Sequence, residues 1–232
     1  MKLAISHPWN LSVEQARALQ AELATKVSAE IRFDPGAVRT VAGVDVGFPG
    51  GRARAAVVVL SFPGLEPVDS ARAEMEIPFP YVPGLLTFRE GPVVLAALEQ
   101  LRTWPDLFLF DGQGIAHPLR VGLAAHLGLL LDWPSIGCAK SRLTGTHAEP
   151  GNERGDWTPL LDGDETIGAV LRTRSGVRPL YVSVGHRIDL PTAIEFVLHC
   201  TRGYRLPETT RWAHKVAGGA ELDVTTRQAR LF

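Results

Sequence analysis

The sequence predicts an α/β domain in which a mixed β-sheet is covered by helices. Three observations carry that expectation: an amphipathic 3.6-period segment near the N-terminus, three β-branched runs joined by short turns, and a strand–helix alternation that begins near residue 107.

Ser12-Val13-Glu14-Gln15 has the form of a capping box, and Val13, Ala16, Leu19, Leu23, Val27 and Ile31 recur at helical spacing, so a helix is predicted to about Ile31. Val38 to Phe48 is β-branched and apolar and ends in Pro49-Gly50-Gly51. Ala55 to Leu60, the turn Phe62-Pro63-Gly64 and Ala71 to Ile77 complete an antiparallel meander. Thr87-Phe88-Arg89-Glu90 reads as a second capping box, opening a helix to about Leu101. Leu107 to Phe110 is a short apolar strand, Pro118 can open a helix reaching Leu131, and Ser135 to Ala139 is another buried strand. Strands alternating with helices imply parallel pairing. Residues 148–164 are rich in Gly, Pro and acids and read as a surface excursion; Glu165 to Arg172 and Arg178 to Val184 look like a late hairpin. Helices over about Pro191 to Thr201 and Pro207 to Val216 close the chain. No repeat or linker interrupts it, so residues 1–232 are read as a single domain, with a meander followed by β-α units: the ribonuclease H-like architecture.

Composition narrows the function classes. With 45% hydrophobic and 21% charged residues the chain is globular, and 24 basic against 25 acidic side chains exclude a polycation or an acidic tail. Any basic groove must therefore be local. Two cysteines are too few for a disulfide framework. The N-terminus lacks a signal-peptide core, and the longest apolar stretch, around Val121 to Leu131, is interrupted by His126. A cytoplasmic protein with no membrane partner is the expectation.

Asp45 stands out within Val41-Ala42-Gly43-Val44-Asp45-Val46, because an ionised carboxylate in an apolar strand costs several kcal/mol unless a cation or hydrogen bonds compensate it, or unless it reaches solvent at an edge. Asp111 repeats the pattern at the carboxyl end of a buried strand, where α/β sheets bind ligands and where a turn-forming Asp-Gly is also common. If the two strands are neighbours, the carboxylates face each other and need a shared proton or a hard cation, Mg²⁺ or Mn²⁺. Glu90 fits two roles, a capping-box partner or a third acidic ligand. Tyr81 lies between Pro80 and Pro83, a stiff loop suited either to a wedge between stacked bases or to ordinary packing. Gly112 and Gly114 precede His117 and allow a close backbone approach to a ligand. Lys140, one of four lysines, can hold a phosphate or stand solvated.

With these residues assembled, the chain resembles the endonuclease V family. The matching segments are Val41 to Asp45, Pro80 to Gly84 with Phe88-Arg89-Glu90, Asp111-Gly112 through His117-Pro118, Gly122, His126, Gly128, Ile136-Gly137, Ala139-Lys140 and Arg205 to Arg211. Gln113 and Leu119 stand where His and Arg are more usual. The resemblance implies a Mg²⁺-dependent repair nuclease (Mn²⁺ substituting) that recognises deoxyinosine in DNA and nicks the second phosphodiester bond on its 3′ side. Asp45, Asp111 and Glu90 would ligate the metal, with His214 in support, and Lys140 would act at the scissile phosphate. Tyr81 would be the wedge, flanked by Pro80 and Pro83, with Gly112, Gly114, His117 and Gly137 near a pocket for the extruded base. A monomer is expected. The rival expectations are a same-fold nuclease for inosine-containing RNA or branched DNA, and a non-cleaving nucleic-acid binder.

Overall fold

A computed structural model describes residues 1–222; the last ten positions of the expected 1–232 domain lie outside the described residues. The elements follow in the order α1 (Val13–Ala24), β1 (Thr40–Gly47), β2 (Ala53–Ser61), β3 (Pro67–Met75), α2 (Leu86–Leu98), β4 (Leu107–Phe110), α3 (Leu123–Leu131), β5 (Ser135–Ala139), β6 (Trp157–Asp162), β7 (Glu165–Leu171), β8 (Leu180–His186), α4 (Leu190–His199) and α5 (Glu208–Ala217). One sheet joins all eight strands in the order β3-β2-β1-β4-β5-β8-β7-β6. The meander β1–β2–β3 is antiparallel, and β4 and β5 add to β1 in parallel. No helix among the described residues is long and apolar enough to cross a membrane.

Alternating side chains on the central strands build two cores. Val41, Leu107, Leu109 and Ile136 meet Phe196 of α4 and Ala213 and Val216 of α5 on one face. Ala42, Val44, Phe108 and Phe110 meet Val93 and Leu98 of α2 and Leu127 of α3 on the other. Because β4 is covered on both faces, all four of its residues are apolar and buried.

Four expectations need correction. The first helix stops at Ala24 rather than Ile31, capped at its start by the Ser12–Gln15 box. Beyond it the Ser28 backbone is bound to the end of β8, donating to His186 Nδ1 and accepting from the Arg187 N–H, and Thr25, Val27 and Ser28 are weak helix formers. The second helix starts at Leu86, and its N-cap, Leu85, has no side-chain cap; burial of Leu85 and Phe88 in a small core sets the start, so Thr87 lies inside the helix. The third begins at Leu123 and not at Pro118, since Gly122 and Ala124 donate to the carbonyls of Gly114 and Gln113. Finally, the stretch read as a surface excursion contains β6. It pairs with β7 across a tight Gly163 turn as an edge strand, which is where Pro159 is tolerated. Parallel pairing is confined to β1, β4 and β5, because β8 returns antiparallel to β5 after the β6–β7 hairpin.

Candidate active site

The site grows from the parallel pair β1 and β4. Their register runs Val41–Leu107 to Val44–Phe110, and the Asp111 N–H donates to the Val44 carbonyl at 3.1 Å. Asp45 and Asp111 therefore occupy adjacent positions at the carboxyl ends of neighbouring strands. By strand parity both belong to the face covered by α5. Helix α5 can lie so close because Gly43 has no side chain: a Cβ there would stand 2.0 Å from the Thr209 carbonyl oxygen. That approach brings the exposed His214 to Asp45, Nδ1 to Oδ2 at 2.8 Å.

Glu90 enters from α2, one turn into the helix, and is buried. Burial raises its carboxyl pKa to about 8, with Asp45 and then Asp111 adding repulsion and Arg89 opposing them. Those two neighbours identify Glu90 as part of the same acidic cluster, so the capping-box reading of Glu90 does not hold. None of the ion pairs among the described residues includes Glu90. Asp111 is also raised, mainly by burial, while the ammonium of Lys140, in direct contact with its carboxylate, pulls the other way. Lys140 follows β5, the strand beside β4.

Among the described residues no three such groups already stand in a ligand cage. Asp45 and Asp111 each spend an oxygen on a local partner, His214 and Lys140, while Glu90 has no ion-pair partner among the described residues. The donor chemistry nevertheless fits a hard divalent cation: three largely buried carboxylates whose mutual repulsion an ion would relieve.

A pocket of about 340 Å³ adjoins the cluster, bounded by Tyr81, Pro83, Gly84, Asp111, Gly112, Gln113, His117 and the segment from Ala139 to Leu143. Tyr81 is 72% exposed at its mouth, so it is not packed beneath its loop. His117 is buried; its Nδ1 accepts from the Leu119 N–H at 3.1 Å, which leaves the Nε2 proton for the Gly84 carbonyl at 2.9 Å. It thus ties the Tyr81 loop to the loop after β4. A second hollow of about 370 Å³, which shares Lys140 with the first, is lined by Asp45, Phe48, Lys140 and His214.

Not every candidate reaches the pocket. Pro80 is absent from its lining, as are Gly114 and Gly137. Those glycines serve packing rather than ligand approach: a Cβ on Gly114 would lie 1.9 Å from the Val184 carbonyl oxygen, and one on Gly137 would lie 2.3 Å from the Gly114 nitrogen. The Gly114 amide is already bound to Ser183 Oγ at 2.8 Å. Three contributors were assigned no role from the sequence, although Gly43 and Arg205 lie in segments that carry the resemblance. Gly43 is one, signalled only as a glycine within a β-branched strand. Arg205 is another, its Nη2 donating to the Lys140 carbonyl at 2.6 Å. The third is the wall from Ser141 to Leu143, where Ser141 accepts from Gln113 Nε2 at 2.9 Å; nothing in that segment's composition marks it.

The family model for Endonuclease V matches residues 21–215. Endonuclease V from Roseiflexus sp. (strain RS-1) is 56% identical over 217 residues, 94% of this chain and 97% of that protein. Among solved structures, Endonuclease V from Streptomyces avermitilis superposes with a TM-score of 0.87 at 46% identity, covering 94% of this chain and 96% of its own. Ciona intestinalis Endonuclease V, solved with a 23mer DNA containing an inosine followed by a ribo-adenosine, gives 0.76 at 27% identity, covering 90% and 97%. The chain belongs to the endonuclease V family, enzymes that hydrolyse phosphodiester bonds.

Proposed function

We propose that this protein is a Mg²⁺-dependent repair endonuclease that recognises deoxyinosine in DNA and nicks the second phosphodiester bond on its 3′ side. The observation that carries the reading is the meeting of three carboxyl groups, Asp45 and Asp111 at the ends of two parallel strands and the buried Glu90, whose pKa is raised to about 8 by burial first and then by those two neighbours. The inosine-containing DNA bound to the Ciona relative supports the substrate class.

Asp45, Glu90 and Asp111 would hold the cation, with His214 steadying Asp45 through its 2.8 Å hydrogen bond. When bound, a divalent ion supplies Lewis-acid stabilisation of charge on the phosphoryl oxygens and activates the attacking water. Lys140 would bind the scissile phosphate between lesion and downstream strand, a role supported by its lining both hollows. Water attacks the phosphorus and the bond to the 3′ oxygen breaks, leaving a 3′-hydroxyl and a 5′-phosphate. Tyr81 would fill the vacated stack while the extruded hypoxanthine enters the 340 Å³ pocket beside Gly112 and His117. Hypoxanthine pairs weakly, which lowers the cost of extrusion and supplies part of the selectivity. One continuous sheet supports a single domain, and we propose a cytoplasmic monomer.

The test is product mapping on matched duplexes carrying inosine, adenine, uracil or an abasic site, and on a junction, in Mg²⁺ and in EDTA. A parallel inosine-containing RNA compares the two backbones. A single Mg²⁺-dependent nick two phosphodiesters beyond inosine is expected. Preference for the RNA or the unmodified junction would replace the substrate, and binding with no metal-dependent product would make the protein a binder.

A further inference from the structure

Phe48 is a large aromatic residue that the core does not use. It directly follows β1, is 38% exposed, and belongs to none of the apolar clusters among the described residues. Its position is nonetheless fixed. A 3₁₀ turn over Pro49–Gly51 begins at the next residue, closed by the Arg52 N–H donating to the Pro49 carbonyl at 3.1 Å. The Arg89 guanidinium lies over the ring, 4.7 Å from its centroid. Arg89 is itself anchored, Nη1 donating to the Phe79 carbonyl at 3.0 Å. Phe48 also lines the hollow bounded by Asp45, Lys140 and His214.

The two hollows give the groove an order. Tyr81 lines the first, Phe48 the second, and Lys140 both. A strand whose lesion sits at Tyr81 and whose phosphate meets Lys140 continues toward Phe48. We propose that Phe48 is a stacking platform for a nucleobase of the cut strand, 3′ of the scissile phosphate, with Arg89 as the layer beneath the ring. This rests on the proposed nuclease reading and adds to it a second aromatic site on the strand. Aromatic stacking accepts any base, because every base presents a π-face. A cut placed at fixed distance from a lesion in any sequence needs a contact of that kind, one that reads position and ignores base identity. The cation over the ring strengthens the platform and adds positive charge next to the backbone.

The test uses inosine duplexes carrying 2-aminopurine at each of the first four positions 3′ of the inosine, bound by the protein in EDTA so that no cleavage is needed. Stacking quenches the probe. Quenching at one position is expected with wild type and with Phe48→Tyr, and its loss with Phe48→Ala and Phe48→Leu. An abasic residue at that same position should weaken wild-type binding about 5- to 150-fold and leave Phe48→Ala binding unchanged. Because Phe48 lies outside the core, the variants should melt with the wild type. A quenching pattern that is the same in wild type and Phe48→Ala, or an equal abasic penalty in both, overturns the platform. If nicking of inosine DNA is intact, that result leaves the nuclease reading standing. Conversely, Phe48-dependent quenching without any Mg²⁺-dependent nick would sink the nuclease reading and keep the platform, and no binding of the inosine duplex would overturn both.

Discussion

Replacing Glu90 with glutamine removes a charge that the fold opposes. The carboxyl group titrates near 8 in the folded chain against an ordinary 4.5. At about 1.36 kcal/mol for each pH unit between those values, ionised Glu90 destabilises the metal-free fold by at most about 5 kcal/mol. Water entry and side-chain relaxation reduce that ceiling, so a gain of at least about 1 kcal/mol is expected for Glu90→Gln at pH 8 in EDTA, or about 2–4 °C in Tm for a chain of this size. Below 4.5 both folded and unfolded chains keep the proton and the charge costs nothing. Between 4.5 and about 8 only the unfolded chain releases it, so this contribution to stability falls as pH rises and levels off above 8. Buried histidines such as His126, which burial pushes down to about 3, make stability rise with pH in the acid range, but they are common to both proteins and cancel in the difference. Thermal unfolding of wild type and variant from pH 5 to 8.5, with and without millimolar Mg²⁺, reads the effect. The variant's advantage should grow toward pH 8 in EDTA and shrink in Mg²⁺, which should raise the wild type more. An advantage that does not change with pH, or a variant less stable than wild type at pH 8, would refute the idea that burial, reinforced by the neighbouring carboxylates, opposes the charge on Glu90.

Tyr81→Ala should nick inosine and undamaged duplexes at more similar rates while leaving Mg²⁺ affinity unchanged, as read by competition nicking and metal titration. Lys140→Met should lower kcat about 10²–10³-fold in single-turnover nicking with duplex affinity falling much less, since its charge acts at the phosphate in the transition state. Gly43→Ala places a methyl group 2.0 Å from the Thr209 carbonyl oxygen, so α5 must move; a loss of about 1–3 kcal/mol by denaturant unfolding is expected, together with loss of the His214–Asp45 contact.

The parts of the site that were legible in the sequence are those that violate a local rule. Asp45 and Asp111 are carboxylates in apolar strands, and a charge there needs a reason, so both could be picked out and paired once the strands were placed side by side. Glu90 breaks no rule, because Thr87-Phe88-Arg89-Glu90 satisfies a capping pattern that the fold does not use; tertiary burial of Leu85 and Phe88 starts the helix earlier and sends Glu90 to the cluster. The strand β6 was hidden by Pro159 and its acidic surroundings, which an edge position tolerates and a central one would not. Gly114 and Gly137 show the limit of reading glycines: the sequence says that something comes close, and only the packing shows that it is other backbone. Phe48 carries no sequence signal, since an aromatic after a strand is normally core.

Mn²⁺ binding followed by EPR, with the free ion's signal lost on coordination, reads the acidic cluster directly. Saturable binding by wild type is predicted, competed by Mg²⁺, weakened by Glu90→Gln and abolished by Asp45→Asn combined with Asp111→Asn. Binding by that double variant at wild-type affinity would place the ion elsewhere and contradict the account.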